Sequence, residues 1–200
     1  MTAECSAAIS LAEAIGVLHG ARSDEIVVTT MGCAREWMRL GSHPLDLVYV
    51  PSSMGQATSV GLGLALAQPG RRVVVCNGDG STLMNLGSLV TITSQRPKNL
   101  IVLLFDNGVY EVTGAQHTPG SAALRGGRAI DFAQMARSCG FESVFELSTL
   151  DAWRSQVHNV LNGDGPVFGC LSTRPVYENA TPRSPGPAWE RARALREALG

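Results

Sequence analysis

The stretch CNGDGSTLMNLGSLVTITSQRPKNLIVLLFDNGVYEVTG, from Cys76 to Gly114, contains two strand ends separated by a helical pattern. The first apolar strand ends in Gly-Asp-Gly at 78–80, and the second ends in Asp-Asn-Gly at 106–108. Parallel strands need a long crossover connection, which is usually a helix. The stretch therefore predicts a strand–helix–strand unit with both polar turns at one edge of a sheet.

The same alternation of apolar strands and helical patterns continues along the chain. Near-continuous apolar strands between helices are typical of a parallel sheet that is covered on both faces. We predict a doubly wound, mostly parallel α/β domain, in which ligands bind beyond the carboxyl ends of the strands. Strands are predicted at 25–30, 46–50, 71–77, 99–106, 142–147 and 166–172, and helices near 34–40, 55–67, 81–93, 132–139 and 150–161.

Length and composition restrict the classes of protein to consider. The 200 residues suit one well-packed domain, which we assign to 1–175, with a C-terminal extension at 176–200. A formal net charge of −1 gives no electrostatic case for a nucleic acid or an anionic membrane as partner. The cysteines lack Cys-x-x-Cys spacing, so they suggest neither a disulfide framework nor a zinc or iron–sulfur site. No run is apolar enough to span a membrane. Residues 1–20 fit an amphipathic helix rather than a signal peptide. We expect a cytoplasmic protein.

The two polar turns together indicate a binding site more strongly than either turn does alone. Each is ordinary in isolation, because Gly, Asp and Asn are common turn residues. The glycines at 78 and 80 allow close backbone approach, and the helix start that follows offers free N–H groups to a phosphate. The Asp79 carboxylate and the Asn107 amide oxygen are hard ligands suited to Mg²⁺, which commonly also binds phosphate oxygens and water. The pair predicts a Mg²⁺-diphosphate site.

This arrangement resembles the cofactor motif of thiamin diphosphate-dependent enzymes, because Asn107 follows Gly-Asp-Gly after 26 intervening residues, 81–106. The resemblance implies that the Asp79 carboxylate, the Asn107 side chain and the Val109 carbonyl coordinate Mg²⁺. It implies in addition that N–H groups of Gly80 and Ser81 bind the diphosphate. The full set of implied cofactor-binding residues is Ser52, Met54, Gly78, Asp79, Gly80, Ser81, Asn107, Val109 and Tyr110.

A second segment, VPSSMGQATSVGLGLALA at 50–67, reads as a turn entering a helix of small residues. From the pattern alone, Met54 is more simply a packing residue, since methionine fills irregular gaps. The resemblance implies that this turn holds the aminopyrimidine ring through the backbone of Ser52 and Met54. Met54 is then the catalytic wedge that bends the cofactor, so that proton removal from the thiazolium C2 becomes intramolecular.

Two further segments, TTMGCAREWM at 29–38 and GAQHT at 114–118, narrow the resemblance. With them, the chain is similar to the diphosphate-binding half of sulfopyruvate and phosphonopyruvate decarboxylases from about residue 25 to 173. Arg35 either clamps a sulfonate, phosphonate or carboxylate of the substrate or pairs with Glu36 or a neighbouring acid at a helix start. Gln116 is a second candidate for substrate contact, and His117 is either a proton-transfer group or a solvated loop histidine.

In the resembled enzymes, thiamin is activated by a Glu from a separate pyrimidine-binding domain. One α/β domain fills this chain, so we expect the activating Glu in a partner α subunit, in an α₂β₂ or larger hetero-oligomer. The implied activity is that of the β subunit of a two-component, thiamin diphosphate- and Mg²⁺-dependent carboxy-lyase. Its implied substrate is a small acidic 2-oxo acid such as sulfopyruvate or phosphonopyruvate.

Three alternatives remain open at this stage. A split acetolactate-synthase-like carboligase would share this cofactor domain, although the usual middle domain is absent. A non-catalytic regulatory homologue would bind the cofactor weakly or only pair with an active chain. A ferredoxin-linked oxidoreductase β chain is disfavoured, because its electron transfer requires cysteine-bound clusters that the cysteine spacing does not offer.

Overall fold

A computed structural model describes residues 8–177 and 181–200 of the chain. The helices are α1 (Leu11–Ala21), α2 (Met31–Arg39), α3 (Ala57–Ala67), α4 (Asp79–Leu83), α5 (Gly87–Gln95), α6 (Phe132–Ser138), α7 (Leu150–Asn162) and α8 (Ala188–Leu199). The strands are β1 (Ile26–Thr29), β2 (Asp46–Val48), β3 (Val73–Gly78), β4 (Leu100–Asp106), β5 (Val109–Tyr110), β6 (Gln116–His117), β7 (Ser143–Leu147) and β8 (Val167–Ser172). Single 3₁₀ turns form at Glu111–Thr113 and Ala122–Leu124.

Six of the strands form one sheet in the order β2-β1-β3-β4-β8-β7, and every pairing in it is parallel. Alternate residues of the central strands enter two separate cores, with Val74 on one face and Val75 on the other. Helices α1, α2 and α7 cover the first face, and α3, α5, α6 and α8 cover the second. The strands are continuously apolar because both faces are buried, which confirms the predicted doubly wound α/β fold.

The strand order reverses between β1 and β3. The chain leaves β1 towards β2 at one edge and returns to β3 on the opposite side of β1. Loops that follow two such strands diverge to opposite faces and leave a crevice at the carboxyl edge. The crevice lies where residues Thr30 and Asp79 follow their strands.

The helix predicted near 81–93 is interrupted. It forms α4, which begins at Asp79, and α5, which begins at Gly87, with the chain turning at 84–86. The turn places Asn85 where its side-chain amide donates to the Gly55 carbonyl at 2.9 Å. A helical period along the sequence does not reveal this long-range bond, which explains why one continuous helix was predicted.

Part of the predicted C-terminal extension packs against the sheet. Helix α8 lies against the edge strand β2, with Leu195 buried in the second core. The Arg191 guanidinium donates to the carbonyls of Val48 and Val50 at the end of that strand. Covering an edge strand in this way protects its unpaired backbone groups. The division of the chain at residue 175 stays a prediction.

The remaining expectations concern the N-terminus and the membrane. The amphipathic helix expected within 1–20 forms as α1, and residues 1–7 lie outside the described part. None of the helices in the described ranges has both the length and the apolar character that crossing a bilayer requires. The cytoplasmic location stays a prediction.

Candidate cofactor-binding site

An open cleft lies at the carboxyl edge of the sheet, at the crevice between β1 and β3. Its walls come from the ends of β1, β3 and β4 and from the turn that contains Met54. Segments far apart in the sequence therefore meet here. The predicted cofactor residues that line the cleft are Met54, Gly78, Asp79, Gly80, Ser81, Asn107, Val109 and Tyr110.

Asp79 is a buried carboxylate, 2% exposed, at the point where β3 passes into α4. Burial, and to a smaller extent the nearby Asp106 carboxylate, raise its pKa to about 6, a value that already includes the smaller opposing effects of hydrogen bonds from Thr118, Gly80 and Asn107. The surrounding protein groups thus offset only part of the cost of burying the ionised Asp79 carboxylate. A bound divalent cation would stabilise that charge, so this site fits a metal ion.

Asn107 lies beside Asp79 at the end of β4, since its backbone N–H is one of the groups that stabilise the Asp79 carboxylate. Its Oδ1 accepts a hydrogen bond from the Val109 N–H at 2.9 Å, and its Nδ2 donates to Glu111 Oε1 at 2.8 Å. Both ends of the amide are therefore engaged. An amide oxygen has a second lone pair, which leaves acceptor capacity for a cation.

Two side chains that sequence reasoning missed support this pair. Thr118 is fully buried, and its hydroxyl donates to Asp79 Oδ2 at 2.9 Å. Glu111 lines the cleft and accepts from Asn107. Glu111 could have been noticed in the sequence, because it is the one acidic residue in the otherwise uncharged run VYEVTG. Nothing in the sequence around Thr118 distinguishes it from an ordinary loop residue.

The turn that carries Met54 is tied to the Gly-Asp-Gly segment. The Gly55 N–H donates to the Ser81 hydroxyl oxygen at 2.8 Å, and Asn85 holds the Gly55 carbonyl. Gly55 has φ +86°, and a Cβ atom there would lie 2.8 Å from the Asn85 Cβ. The position therefore requires glycine. Met54, half-buried, is presented to the cleft by a turn with two anchors.

Gly80 is required for a different reason. The Tyr110 ring lies against it, so a Cβ atom at position 80 would overlap the ring and would also crowd the Thr118 methyl group. The close approach brings the Tyr110 side chain over the start of α4. Both residues were predicted as cofactor contacts, and the structure places them against each other at the cleft wall.

Four other predicted site residues do not line this cleft. Ser52 is half-buried, and its hydroxyl is buried with no hydrogen-bond partner in the described ranges. Gln116 and His117 form the exposed strand β6, where the Gln116 amide donates to the Thr113 carbonyl at 2.8 Å. Their predicted roles, like that of Arg35, stay predictions.

Arg35 is buried behind the cleft, in a neighbouring polar cavity whose wall includes Arg39 and Arg183. Its Nε donates to Glu36 Oε1 at 2.6 Å, and its Nη1 lies 3.7 Å from Glu111 Oε2. The pairing with Glu36, which the sequence left open as an alternative to anion binding, is present. Glu111 borders both the cleft and the polar cavity and so connects them.

The start of α2 supplies a further wall that sequence reasoning did not assign. Thr30 is buried and its hydroxyl lies 3.3 Å from the Cys76 carbonyl and from Asn77 Oδ1, which ties the ends of β1 and β3 together. Met31 follows with φ 49°, an uncommon conformation for a residue with a side chain. With Gly32, which lies next to the Glu111 carboxylate, these residues line the cleft.

Comparisons with known proteins agree with this architecture. Sulfopyruvate decarboxylase subunit beta from Methanothermobacter thermautotrophicus is 42% identical over 164 residues, 82% of this chain and 81% of that protein. Phosphonopyruvate decarboxylase from Streptomyces hygroscopicus is 39% identical over 172 residues, 86% of this chain but only 41% of that protein. The crystal structure of benzoylformate decarboxylase from Polynucleobacter necessarius superposes with a TM-score of 0.67 at 20% identity, over 92% of this chain and 36% of that chain. This last likeness shows the fold alone.

The family model with the description "Thiamine pyrophosphate enzyme, C-terminal TPP binding domain" matches residues 29–168. That range includes the Met54 turn, the Gly-Asp-Gly turn and Asn107, which are the parts of the cleft that carried the resemblance. The similarity predicted from these motifs is confirmed by the match and by the two decarboxylase relatives. The chain belongs to the C-terminal TPP-binding domain family of thiamine pyrophosphate enzymes.

Proposed function

We propose that this chain is the diphosphate-binding β subunit of a thiamin diphosphate- and Mg²⁺-dependent 2-oxo acid decarboxylase. The observation that carries the proposal is the convergence of Asp79 and Asn107 on one cleft, with the Met54 turn anchored to Ser81 beside them. The names of the sulfopyruvate and phosphonopyruvate decarboxylase relatives support the reaction type.

The proposed metal ligands are Asp79, the Asn107 amide oxygen and the Val109 carbonyl. The carbonyl of Gly108 accepts from the Thr118 N–H at 2.9 Å, and that of Tyr110 accepts from the Ala115 N–H at 2.9 Å. Carbonyls alternate in direction along an extended chain, so the one between them points away from the β5–β6 hairpin. This alternation supports the Val109 carbonyl as a third oxygen ligand, beside two side chains of the hard type that Mg²⁺ prefers.

Backbone N–H groups of Gly80 and Ser81 are the proposed diphosphate donors, and the backbone of Ser52 and Met54 is proposed to hold the pyrimidine. Thiamin diphosphate, when bound, supplies a nucleophilic carbon and an electron sink for the loss of CO₂. The chain's own contribution is orientation. Met54 stands on a turn held at the Gly55 N–H and carbonyl, so its side chain can impose a bent cofactor conformation with little loss of order on binding.

The proposed substrate is a small 2-oxo acid with a second acidic group, such as sulfopyruvate or phosphonopyruvate. Arg35 is proposed to contribute to recognition of that acidic group from the polar cavity, where Arg39 and Arg183 add positive charge. Glu36 and Glu111 offset part of this charge, so an anion would compete with them for the guanidinium. Gln116 and His117, on the exposed hairpin, are proposed to reach substrate only after a partner chain covers the cleft.

The activating Glu is proposed to come from a pyrimidine-binding α subunit, in an α₂β₂ or larger assembly. The test compares the purified chain alone with the chain co-purified with such a subunit. We expect CO₂ release from sulfopyruvate or phosphonopyruvate only in the second case, and product analysis with an added acceptor aldehyde separates decarboxylation from carboligation. Full thiamin-dependent turnover by the chain alone would contradict the two-component proposal.

Cofactor binding is tested separately from turnover. Calorimetric titration with thiamin diphosphate in the presence of Mg²⁺ is expected to show binding to the wild-type chain in its assembly and almost none to Asp79→Ala. Unchanged binding by Asp79→Ala would refute the metal-site assignment. A wild-type assembly that binds no cofactor would instead favour a regulatory homologue.

A further inference from the structure

Glu111 is a buried carboxylate at the junction of the cleft and the polar cavity. It begins the 3₁₀ turn directly after β5, and its side chain is 6% exposed. Burying an ionisable group is costly unless its polar atoms are engaged. The contacts of Glu111 therefore indicate what its carboxylate does in this position.

Both carboxylate oxygens have partners. Oε1 accepts from Asn107 Nδ2 at 2.8 Å and from the Val176 N–H at 2.8 Å. Oε2 lies 3.7 Å from Arg35 Nη1 and so close to Gly32 that a Cβ atom there would lie 2.9 Å away. One side chain thus joins the end of β4 and the segment that follows β8 to the start of α2.

The bond to Asn107 selects one orientation of its amide. An ionised carboxylate only accepts hydrogen bonds, so it pairs with the NH₂ end of the amide and repels the oxygen end. At the other end, the Val109 N–H pairs with the oxygen. A flipped amide would place two acceptors against each other at Glu111 and two donors against each other at Val109. Because only the amide oxygen can bind a cation, this selection determines whether Asn107 can serve as a metal ligand.

We infer that Glu111 is a positioning residue that holds the Asn107 amide with its oxygen available to Mg²⁺, an inference that rests on the proposed function. Arg35 and the Val176 N–H hold the Glu111 carboxylate in turn. Arg35 therefore acts on the metal site through Glu111, in addition to any contact with substrate.

The first measurement is the Kd of Mg²⁺ at saturating thiamin diphosphate, by calorimetry on the assembled protein, with Mn²⁺ and its electron paramagnetic resonance spectrum as a second probe. Groups that orient metal ligands typically contribute 10- to 100-fold in metal affinity, so we expect Glu111→Ala to weaken Mg²⁺ binding about 10- to 100-fold. Glu111→Gln retains one acceptor oxygen and should lose less Mg²⁺ affinity than Glu111→Ala. Glu142→Gln removes an exposed carboxylate next to β7, at the opposite edge of the sheet, and should leave the Kd unchanged.

A double-mutant cycle with Asn107→Asp separates positioning from general structural support. Both oxygens of a carboxylate at position 107 can bind a cation, so its metal binding does not depend on which way it is turned. The same carboxylate would repel Glu111. Replacing Glu111 by Gln should therefore weaken Mg²⁺ binding in the wild-type background but leave it unchanged or strengthen it beside Asn107→Asp. If Glu111 only supported the fold, its replacement would weaken Mg²⁺ binding in both backgrounds.

The outcomes distinguish the two levels of proposal. Wild-type protein that binds Mg²⁺-thiamin diphosphate, with Glu111→Ala binding equally well despite a lowered melting temperature, would overturn the positioning role alone. Equal losses in both backgrounds of the cycle would overturn it as well. A wild-type assembly without Mg²⁺-dependent cofactor binding would reject the proposed function and this inference together.

Discussion

The hydroxyl of Thr118 donates a hydrogen bond of 2.9 Å to Oδ2 of Asp79, although 38 residues, 80–117, separate them in the chain. Thr118 is fully buried, and its own N–H donates to the Gly108 carbonyl at 2.9 Å. The residue thus connects the turn after β4 to the carboxylate after β3. Its hydroxyl restricts where the Asp79 carboxylate can point.

Removing that hydroxyl should weaken metal binding more than it weakens the fold. Thr118→Val preserves shape but deletes the donor, and loss of a group that orients a metal ligand is expected to raise the Kd of Mg²⁺ about 10- to 100-fold. Thr118→Ser keeps the hydroxyl and is the matched control, with an affinity close to wild type. Calorimetry with thiamin diphosphate present measures both. Identical Mg²⁺ affinities for the Val and Ser variants would refute this role.

Asp79→Asn should have opposite effects with and without metal. The pKa of Asp79 is raised from 3.8 to about 6 in the fold, so the folded protein binds this proton more tightly than the unfolded chain does. The metal-free protein therefore loses stability as pH rises from about 4 to about 6, and a shift of roughly two units corresponds to about 3 kcal/mol at most.

Urea unfolding of metal-free protein between pH 4 and 8 provides the measurement. The free energy of unfolding of Asp79→Asn should match that of wild type near pH 4. Above pH 6 it should be larger by about 1–3 kcal/mol, because the variant carries no buried charge. With Mg²⁺ and thiamin diphosphate, wild type should gain stability and the variant should not. A metal-free variant less stable than wild type at pH 8 would contradict the assigned cause of the pKa shift.

Gly55→Ala should disturb the turn that presents Met54. The φ of +86° and the 2.8 Å approach of a Cβ atom to Asn85 both oppose a side chain at this position. Strain of this kind costs about 1–3 kcal/mol, so a lower melting temperature and weaker thiamin diphosphate binding are expected.

Gly63→Ala is the matched control for that substitution. Gly63 lies within α3, and a Cβ atom there would meet no atom within 4 Å. Alanine in an open helical position should stabilise the protein by about 0.5–1 kcal/mol. Thermal unfolding and cofactor titration compare the pair, and an equal response of both variants would argue against a specific role for the turn.

Arg191→Ala tests whether helix α8 supports the sheet edge next to the cofactor turn. Arg191 donates to the carbonyls of Val48 and Val50, and its pKa is lowered by burial. Each hydrogen bond from a charged donor contributes about 1.5–3 kcal/mol, and solvent screening reduces this at a partly exposed group, so a loss of about 1–3 kcal/mol in unfolding free energy is expected. Arg193→Ala, on the same helix but 59% exposed in its side chain, should cost less than about 1 kcal/mol.

Much of this molecule could be inferred from local patterns. The apolar runs at 73–76 and 100–105 are continuous because both faces of their strands are buried, and that pattern is visible in the sequence alone. The polar turns that follow them must meet at one edge of a parallel sheet. The residues 78–81 line one cleft with Asn107, Val109 and Tyr110, and their roles in binding the cofactor stay predictions.

Predictions that depended on loops were less complete. The break between α4 and α5 places Asn85 against Gly55, and the helix start at Met31 uses an uncommon φ of 49°. The sequence left Arg35 open between an anion clamp and pairing with a nearby acid, because its position against Glu36 and Glu111 depends on where α2 packs. A sequence records periodicity and turn chemistry, but it does not record which distant side chain will fill the space beside a given loop.

The amino-acid order alone was thus sufficient for the doubly wound fold, the family and the location of the cleft, because these follow from strand patterning and from short turn motifs. The folded chain was needed to reveal the contacts that orient the candidate ligands, namely Thr118 with Asp79, Glu111 with Asn107 and Ser81 with Gly55. Each of these bonds joins loops that converge at the carboxyl edge of the sheet. Their geometry is set by the packing of the strands beneath them, which no local pattern of residues specifies.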